Sequence, residues 1–277
     1  MKYLNFGCGN RFSTEWTNID FGARSPGVIQ CNLLQGFPFR DNSFDAVYSS
    51  HVLEHFTLDQ GECLLKEAFR VLKPRGLIRT VVPDLESAIR EYVRVVQHQD
   101  GSLFAEKQHE WIMLELLDQL VRAENQGEIT KFKRQVLDSG DQALISYIDS
   151  RTGDMAAVDV SPARASSRWT KFLGASPGKL RQKMVMTWVR LVKSLIPRHI
   201  AASILDNTTL GEKHRWMYDI TGLKRSLARS GFRDMKLLDA STSQIPNFGS
   251  YGLDLNPDGK PHKLLSLYVE ASKPDQP

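Results

Sequence analysis

Two glycines follow a short apolar run at the start of the chain and could hold a ligand close to the backbone. Leu4-Asn5-Phe6 leads into Gly7-Cys8-Gly9, a strand-to-turn junction where missing side chains let a ligand approach. Asp20 follows the next apolar run, where a carboxylate can accept hydrogen bonds from the two hydroxyls of a ribose. A full dinucleotide fingerprint is not met, because Phe12 stands where the third glycine would be. The pattern indicates a nucleoside-type ligand, and a solvated loop acid is the alternative for Asp20 taken alone.

A second group of candidate ligands is the run His51-Val52-Leu53-Glu54-His55, which spells H-x-x-E-H. This is the zinc motif of inverted zinc peptidases. It requires both imidazoles on one face of a continuous helix and a third carboxylate from elsewhere. Here the run leaves a predicted strand directly, and Thr57 is the expected cap of the next helix. We therefore expect no metal site, no stoichiometric zinc and a packed, hydrogen-bonded His55; a zinc hydrolase is the alternative.

Short apolar runs separated by loops and one amphipathic helix are typical of parallel strands with crossovers, and they dominate the first part of the chain. The predicted strands are Lys2–Phe6, Thr17–Ile19, Val28–Cys31, Phe44–Ser50 and Leu77–Val82. A helix is predicted over Thr57–Leu72, ended by Lys73-Pro74-Arg75-Gly76 because proline cannot continue it. A second helix should begin after Pro83-Asp84, with the aspartate near its N-terminus.

From about Ser102 the pattern changes to long helical stretches. Helices are predicted over Trp111–Arg122, Ile129–Leu137, Gln142–Ile148 and Leu180–Ile196. The end of the chain returns to a mixed pattern, with a helix over Leu223–Ser230 and strands over Met235–Leu238 and Leu264–Glu270. We predict an α/β domain formed by 1–98 and 220–277, interrupted after strand five by a mainly helical, substrate-facing insertion over 99–219.

The composition is that of a soluble globular protein, with 41% hydrophobic and 25% charged residues among 277. No run of 18 apolar residues and no signal-peptide pattern occurs, so we expect a cytoplasmic protein. Cys8, Cys31 and Cys63 have no C-x-x-C spacing and are expected to be reduced. The net charge is +4, yet nine Lys or Arg and no acid lie between residues 161 and 200. A local basic surface is therefore expected there.

Two stretches carry a resemblance to a known family. The sequences FPFRDNSFDAVYSSHVLEHF at 37–56 and FRVLKPRGLI at 69–78 resemble class I S-adenosylmethionine-dependent methyltransferases of the type 11 group. Residues 111–131 and 212–219 are similar to a subgroup of predicted methyltransferases, often associated with glycan or small-molecule pathways, whose substrates are unassigned. The resemblance implies S-adenosyl-L-methionine as cofactor. It also implies a Rossmann-like, doubly wound, mostly parallel seven-stranded sheet with an antiparallel last strand.

The resemblance also assigns cofactor contacts, residue by residue. Gly7, Cys8 and Gly9 would line the amino-acid end of the cofactor, and Asp20 would hold the ribose. The remaining contacts are Asn32 near the adenine, where many relatives have an aspartate, and Ser50 and His51 beside the sulfonium. Because only ten residues separate Gly9 from Asp20, the first crossover must be shorter than the usual helix.

The insertion is expected to supply the acceptor site, since it leaves the carboxyl end of strand five, the ligand-binding edge of such sheets. Within 212–219 we assign His214, Arg215 and Tyr218 to substrate binding. An alcohol needs a proton acceptor as it attacks, and His51 or His214 could serve. The predicted activity is methyl transfer to a small-molecule or glycan-type acceptor at oxygen. A non-catalytic S-adenosylmethionine-binding protein is the alternative.

The basic amphipathic stretch 180–196 has several possible partners. Such a helix can rest on an anionic membrane, bind a phosphorylated substrate or pack on its own subdomain. No Asn-Pro-Pro-Tyr-like motif follows strand four, and no basic repeat is interleaved with aromatic residues. We therefore expect no sequence-specific nucleic-acid partner.

Overall fold

Seven strands form one sheet in the order β3-β2-β1-β4-β5-β7-β6. A computed structural model describes residues 1–22, 25–123, 126–158, 188 and 211–275. The strands are β1 (Tyr3–Phe6), β2 (Thr17–Asp20), β3 (Val28–Gln30), β4 (Phe44–Ser50), β5 (Leu72–Pro83), β6 (Arg233–Leu238) and β7 (Ser266–Ser272). Neighbours among β1 to β5 pair in parallel, whereas β7 pairs antiparallel with both β5 and β6. This topology confirms the predicted Rossmann-like sheet and its antiparallel last strand.

Helices pack around the sheet and fill the insertion. They are α1 (Leu58–Val71), α2 (Leu85–Gln97), α3 (Leu103–Val121), α4 (Gly127–Ser139), α5 (Gln142–Thr152) and α6 (Ile220–Arg229). Thr57 caps α1 through a reciprocal pair of hydrogen bonds with Gln60, and Asp84 caps α2. Both caps confirm the predicted starts of these helices, because their side-chain oxygens satisfy free backbone N–H groups.

The strand ends differ from the prediction where long-range pairing overrides local signals. β5 starts at Leu72, earlier than predicted, because Leu72 already pairs with Phe44 before a register shift brings Leu77 opposite Ala46. The Lys-Pro-Arg-Gly sequence is therefore an irregular part of a strand, with Arg75 at a φ of 62°. Between β1 and β2, residues 7–16 contain no helix, which confirms the shortened first crossover.

The sheet separates two apolar clusters. One face packs α1 and α6 against β1, β4 and β7 around buried residues such as Leu4, Val47 and Leu64. The opposite face carries an aromatic cluster that includes Trp16, Tyr48 and Phe248. Because both faces are covered, the open edge for a ligand is the one where the parallel strands end.

A buried arginine fastens the connection between β6 and β7 to the sheet. Arg79 on β5 is fully buried, and its Nε donates to Asp254 Oδ2 at 2.7 Å. Its Nη1 donates to Glu270 Oε1 at 2.9 Å and also to the Thr242 carbonyl at 2.9 Å, while Nη2 donates to the Asp239 carbonyl at 2.7 Å. The segment 239–265 is thereby held against the sheet, next to the ligand-binding edge.

The insertion builds a small core of its own. α3, α4 and α5 meet around Trp111, Phe132 and Ile148, all buried. α3 begins earlier than predicted, at Leu103, because the Ser102 side chain accepts a hydrogen bond from the Ala105 N–H and caps it. The predicted basic helix 180–196 lies outside the described residues apart from Trp188. Among the described helices, none is long and apolar enough to cross a membrane.

Candidate active site

The loop after β1 requires glycine for two different reasons. Gly7 has a φ of 64°, and a Cβ there would lie 2.5 Å from Cγ2 of Val52, so any side chain would displace the start of the turn after β4. Gly9 has a φ of 53°, but a Cβ there would meet nothing within 4 Å. The Gly9 backbone therefore faces open space, which leaves room for a ligand against the main chain.

Asp20 is fixed at the end of β2 by two backbone hydrogen bonds. Its Oδ2 accepts from the Gly9 N–H at 2.9 Å, and its Oδ1 accepts from the Gly22 N–H at 2.8 Å. Because a carboxylate has about four acceptor positions, two remain for the hydroxyls of a ligand. The aspartate thus joins the glycine loop to β2 while keeping acceptor capacity for a ribose.

A cavity of about 430 Å³ lies over this loop, and we call it the donor cavity. It brings together most of the predicted cofactor contacts, namely Gly7, Gly9, Asp20, Asn32 and His51. The Asn32 side-chain oxygen accepts a hydrogen bond from the Leu34 N–H at 3.2 Å and caps the turn that follows β3. Phe21, Leu33, Leu34 and Phe56 give this cavity apolar walls, as the flat ring of a nucleobase needs.

A second cavity, of about 420 Å³, adjoins the first, and we call it the acceptor cavity. Cys8 and Ser50, two predicted cofactor contacts, line this one rather than the donor cavity. Burial, followed by the charge of Asp20, raises the pKa of the Cys8 thiol to about 12, so this cysteine is a neutral group and no nucleophile near pH 7. Both cavities share Gly7, Gly9 and His51.

His51 stands at the junction of the cavities in an unusual backbone conformation. Its φ is 53°, in the left-handed region that residues other than glycine seldom adopt. Nδ1 lies 3.2 Å from Glu54 Oε1, and Nε2 lies 2.9 Å from Ser266 Oγ. A strained residue held from both sides at a ligand-binding edge points to a functional constraint.

Residues 4–80 match the methyltransferase domain family of type 11. This matched stretch is therefore similar to the class I S-adenosylmethionine-dependent methyltransferases, and it covers 77 of the 277 residues. The family match implies S-adenosyl-L-methionine as the cofactor. A search of curated proteins found no match.

Solved structures of three proteins show a weak likeness to this chain. The [4+2]-cyclase SpnF is 21% identical over 29% of this chain and 38% of that chain, with a TM-score of 0.24. An S-adenosylmethionine-dependent methyltransferase from Thermotoga maritima is 10% identical over 98% of this chain and 82% of its own, with a TM-score of 0.38. One from Methanosarcina mazei is 13% identical over 99% and 92%, with a TM-score of 0.37. The fold is defined by the strand order of the sheet.

The H-x-x-E-H run does not have the geometry of a peptidase-type zinc site. The backbone of His51 is in the left-handed region, and Leu53–His55 is a single turn of 3-10 helix. No continuous α-helix therefore carries both imidazoles. Glu54 is fully buried instead, and neither of its oxygens has a hydrogen-bond partner of good geometry among the described residues. Burial raises the pKa of Glu54, but the approach of His51 and the nearby imidazoles outweigh it and hold the pKa below its usual value.

His214 is buried and faces the turn after β4. It is 6% exposed, its ring lies 5.1 Å from the ring of His55, and it lines neither the donor nor the acceptor cavity. Burial lowers the pKa of His214 to about 4, so the ring is neutral near pH 7. The structure therefore places His214 behind the donor cavity, and its role in catalysis and substrate binding stays a prediction.

The other two predicted substrate contacts are also placed outside the cavities. Tyr218 belongs to the main core, where its backbone bridges to Asp84 and its hydroxyl lies against Gly61. It is large and apolar enough to be drawn into the core beside α1, which explains its 1% exposure. Arg215 is exposed, and its N–H donates to the Glu54 carbonyl at 2.7 Å.

Three residues of the acceptor cavity were missed by sequence reasoning: Arg11, His262 and Lys263. Arg11 Nε donates to the carbonyls of Gly252 and Leu253 at 3.0 Å, so it also holds the 239–265 segment. Burial, ahead of nearby positive charges, lowers the pKa of His262 to about 4. No local motif marks His262 and Lys263, because they meet His51 only through the folding of a loop rich in Gly, Asn and Pro. Arg11 directly follows the glycine loop, where no chemical pattern singled it out.

Proposed function

We propose that the chain transfers the methyl group of S-adenosylmethionine to an oxygen of a small-molecule or glycan-type acceptor in the acceptor cavity. The observation that carries this proposal is the junction of two cavities of similar size at Gly7, Gly9 and His51. A methyl transferase needs two adjoining binding sites, because donor and acceptor must meet in line and without water. The junction supplies such an arrangement at the carboxyl ends of β1 and β4.

The residues of the donor cavity fit the cofactor. Asp20 has free acceptor positions for the ribose hydroxyls, and the open Gly9 backbone leaves space along the loop. Asn32 stands at the apolar end of the cavity, and Cys8 and Ser50 continue the surface toward the acceptor cavity. When bound, S-adenosylmethionine supplies an electrophilic methyl group already activated by its sulfonium.

His51 is the group best placed to accept the acceptor's proton. Its Nδ1 faces the Glu54 carboxylate at 3.2 Å, so the proton of a neutral ring is favoured on Nδ1. The Nε2 lone pair then points at Ser266 Oγ, 2.9 Å away, and an acceptor hydroxyl would take the place of that contact. A buried carboxylate behind an imidazole fixes the tautomer and stabilises the imidazolium that forms on proton transfer. His214 cannot replace His51 directly, since it lines neither cavity.

The acceptor cavity favours a compact, polar acceptor. Its volume of about 420 Å³ is at the small end of the usual range for ligand pockets. Tyr48, Ser50, His262 and Lys263 bring polar atoms to its walls. Those groups suit a hydroxylated molecule or a single sugar unit, which hydrogen bonds can orient. Their number also favours oxygen as the acceptor atom, because an alcohol requires a nearby base.

The test is a two-part experiment on the full chain. Calorimetric titration with S-adenosylhomocysteine measures cofactor binding, and a screen of sugars, phenols and small alcohols with methyl-labelled S-adenosylmethionine measures transfer. We expect binding in the wild type and labelled product with at least one oxygen acceptor. His51→Gln should reduce turnover by about 10²- to 10⁴-fold, the usual contribution of a general base.

His262→Gln is the matched comparison, because His262 shares the acceptor cavity but does not line the donor cavity. We expect it to reduce turnover by about tenfold or less. A larger loss for His262→Gln than for His51→Gln would overturn the assignment of the base. Absence of S-adenosylhomocysteine binding would overturn the cofactor site, and binding without any labelled product across the screen would favour a non-catalytic binding protein.

A further inference from the structure

A glutamate and two histidines converge on one point behind the donor cavity. One potential ligand atom from each of Glu54, His55 and His214 lies within 4.8 Å of the other two. We propose that these three side chains bind a divalent transition-metal ion of the zinc class. Two imidazoles with one carboxylate form the donor set of catalytic zinc sites, which leave a further position for water. This site goes beyond methyl transfer and replaces the expectation that the H-x-x-E-H run binds no metal, although Glu54 also contacts the proposed base His51.

Glu54 gives the site its negative charge. The carboxylate is completely buried, and among the described residues it accepts no well-formed hydrogen bond. His51 Nδ1 approaches Oε1 at 3.2 Å, but one side-on contact leaves most of the acceptor capacity unused. A buried carboxylate without full hydrogen bonding is costly to the fold. A cation between Glu54 and the two imidazoles would satisfy it.

His55 is oriented as a metal-binding histidine. Its Nδ1 lies 3.1 Å from the Lys213 carbonyl, which can only accept, so Nδ1 carries the hydrogen and Nε2 carries the lone pair. Metal-binding histidines usually donate the non-ligating N–H to a carbonyl or carboxylate, which fixes the ring and its tautomer. The Lys213 carbonyl therefore acts as the outer partner of this ligand.

The backbone holds His214 opposite the other two ligands without any metal. Its N–H donates to the Gln119 carbonyl at 2.8 Å, and the next N–H, of Arg215, donates to the Glu54 carbonyl at 2.7 Å. Arg122, the nearby cation, is paired with Asp118 and Glu212.

The potential ligand atoms lie within 4.8 Å of one another. Zinc bonds to nitrogen and oxygen of about 2.0–2.2 Å place tetrahedral ligands roughly 3.4 Å apart, so the side chains must move closer together to complete the site. The ion would join the turn after β4 to the segment 211–218. Since His55 and Gly211 both line the donor cavity, metal binding would close one wall of that cavity.

The test uses full-length protein freed of metal by a chelator and titrated with zinc chloride in a calorimeter. We expect one zinc per chain in the wild type. His214→Ala and His55→Ala should each weaken zinc binding by at least about 100-fold, because loss of a ligand exceeds the 10- to 100-fold effect of losing an outer partner. His98→Ala, at an exposed histidine beyond α2, is the matched control and should bind as the wild type does.

Cobalt(II) gives a second readout on the wild type alone, so the test does not depend on variants that fold. We expect visible d–d absorption typical of a four- or five-coordinate site with imidazole ligands, and its loss on adding zinc. Three results would overturn the proposal. They are no zinc binding by the wild type, zinc binding unchanged by His214→Ala, and zinc binding weakened as much by His98→Ala as by His214→Ala. Titration of the same metal-free sample with S-adenosylhomocysteine tests the cofactor site separately.

Discussion

Replacing Asp20 by alanine should weaken the binding of S-adenosylhomocysteine by roughly 10- to 100-fold. Hydrogen bonds to a charged group contribute about 1.5–3 kcal/mol, and each 1.4 kcal/mol or so is a factor of ten in affinity. The structure adds a second effect, because Asp20 also accepts from the N–H groups of Gly9 and Gly22. The substitution therefore removes a ribose contact and loosens the glycine loop together.

A ligand comparison separates these two effects. Calorimetry on the wild type and Asp20→Ala is repeated with the 2′-deoxy analogue of S-adenosylhomocysteine, which lacks one ribose hydroxyl. The loss of affinity caused by Asp20→Ala is measured for each ligand. If the carboxylate contacts the 2′-hydroxyl, this loss should be clearly smaller for the deoxy analogue than for S-adenosylhomocysteine. The loosened loop affects both ligands equally, so it cancels in this comparison.

Asp59→Ala is the control, because Asp59 is an exposed aspartate in the first turn of α1 and lines neither cavity. It should leave both affinities unchanged. The reasoning is refuted if folded Asp20→Ala binds S-adenosylhomocysteine as tightly as the wild type. If Asp20→Ala weakens the binding of both ligands equally, Asp20 does not contact the ribose 2′-hydroxyl.

Two further predictions concern stability. Arg79→Met should lower the free energy of unfolding in urea by about 3–5 kcal/mol, because Asp254 and Glu270 become unpaired buried carboxylates; an unchanged midpoint would contradict this. Hydrogen bonds from Arg94, opposed by burial and helped by Tyr147, lower the pKa of Glu91 to about 2. That folded-state pKa is below the unfolded value, so the stabilisation is present above about pH 5 and lost as the pH falls toward 2. The melting temperature of Glu91→Gln should therefore be lower than that of the wild type at pH 7 and close to it at low pH. A difference in melting temperature that persists at low pH would show that the carboxylate charge is not responsible.

The sequence was enough to bring most of the predicted cofactor contacts together in one cavity, because the segments that carry them are close in the chain. The glycine loop, Asp20, Asn32 and His51 all follow strands within the first 51 residues, and parallel strands end at one edge. Apolar runs of period two and a proline stop were enough to place those strands to within a few residues. The start of β5 was missed, because its first pair, Leu72 with Phe44, is a long-range contact with no local signal.

The rest of the site depends on contacts between distant segments. His214 was predicted to face an acceptor, but its backbone bond to Gln119 turns it toward Glu54 and His55. His262 reaches the acceptor cavity from a loop whose own sequence indicates only turns. Single-sequence periodicity reports which face of an element is apolar, not which distant polar side chains will share a space.

The two sides of the site consequently depend on different parts of the fold. The donor side is fixed by strand ends and by Asp20, so substitutions there should act on cofactor affinity. The proposed acceptor side is fixed by Arg11 and Arg79, which hold the 239–265 segment. Loosening that segment at Arg79 moves His262 and Lys263, whereas Arg11 also belongs to the loop after β1. Differences in acceptor choice between chains of this architecture should therefore arise in the late segment and its two arginine anchors, with the donor cavity left intact.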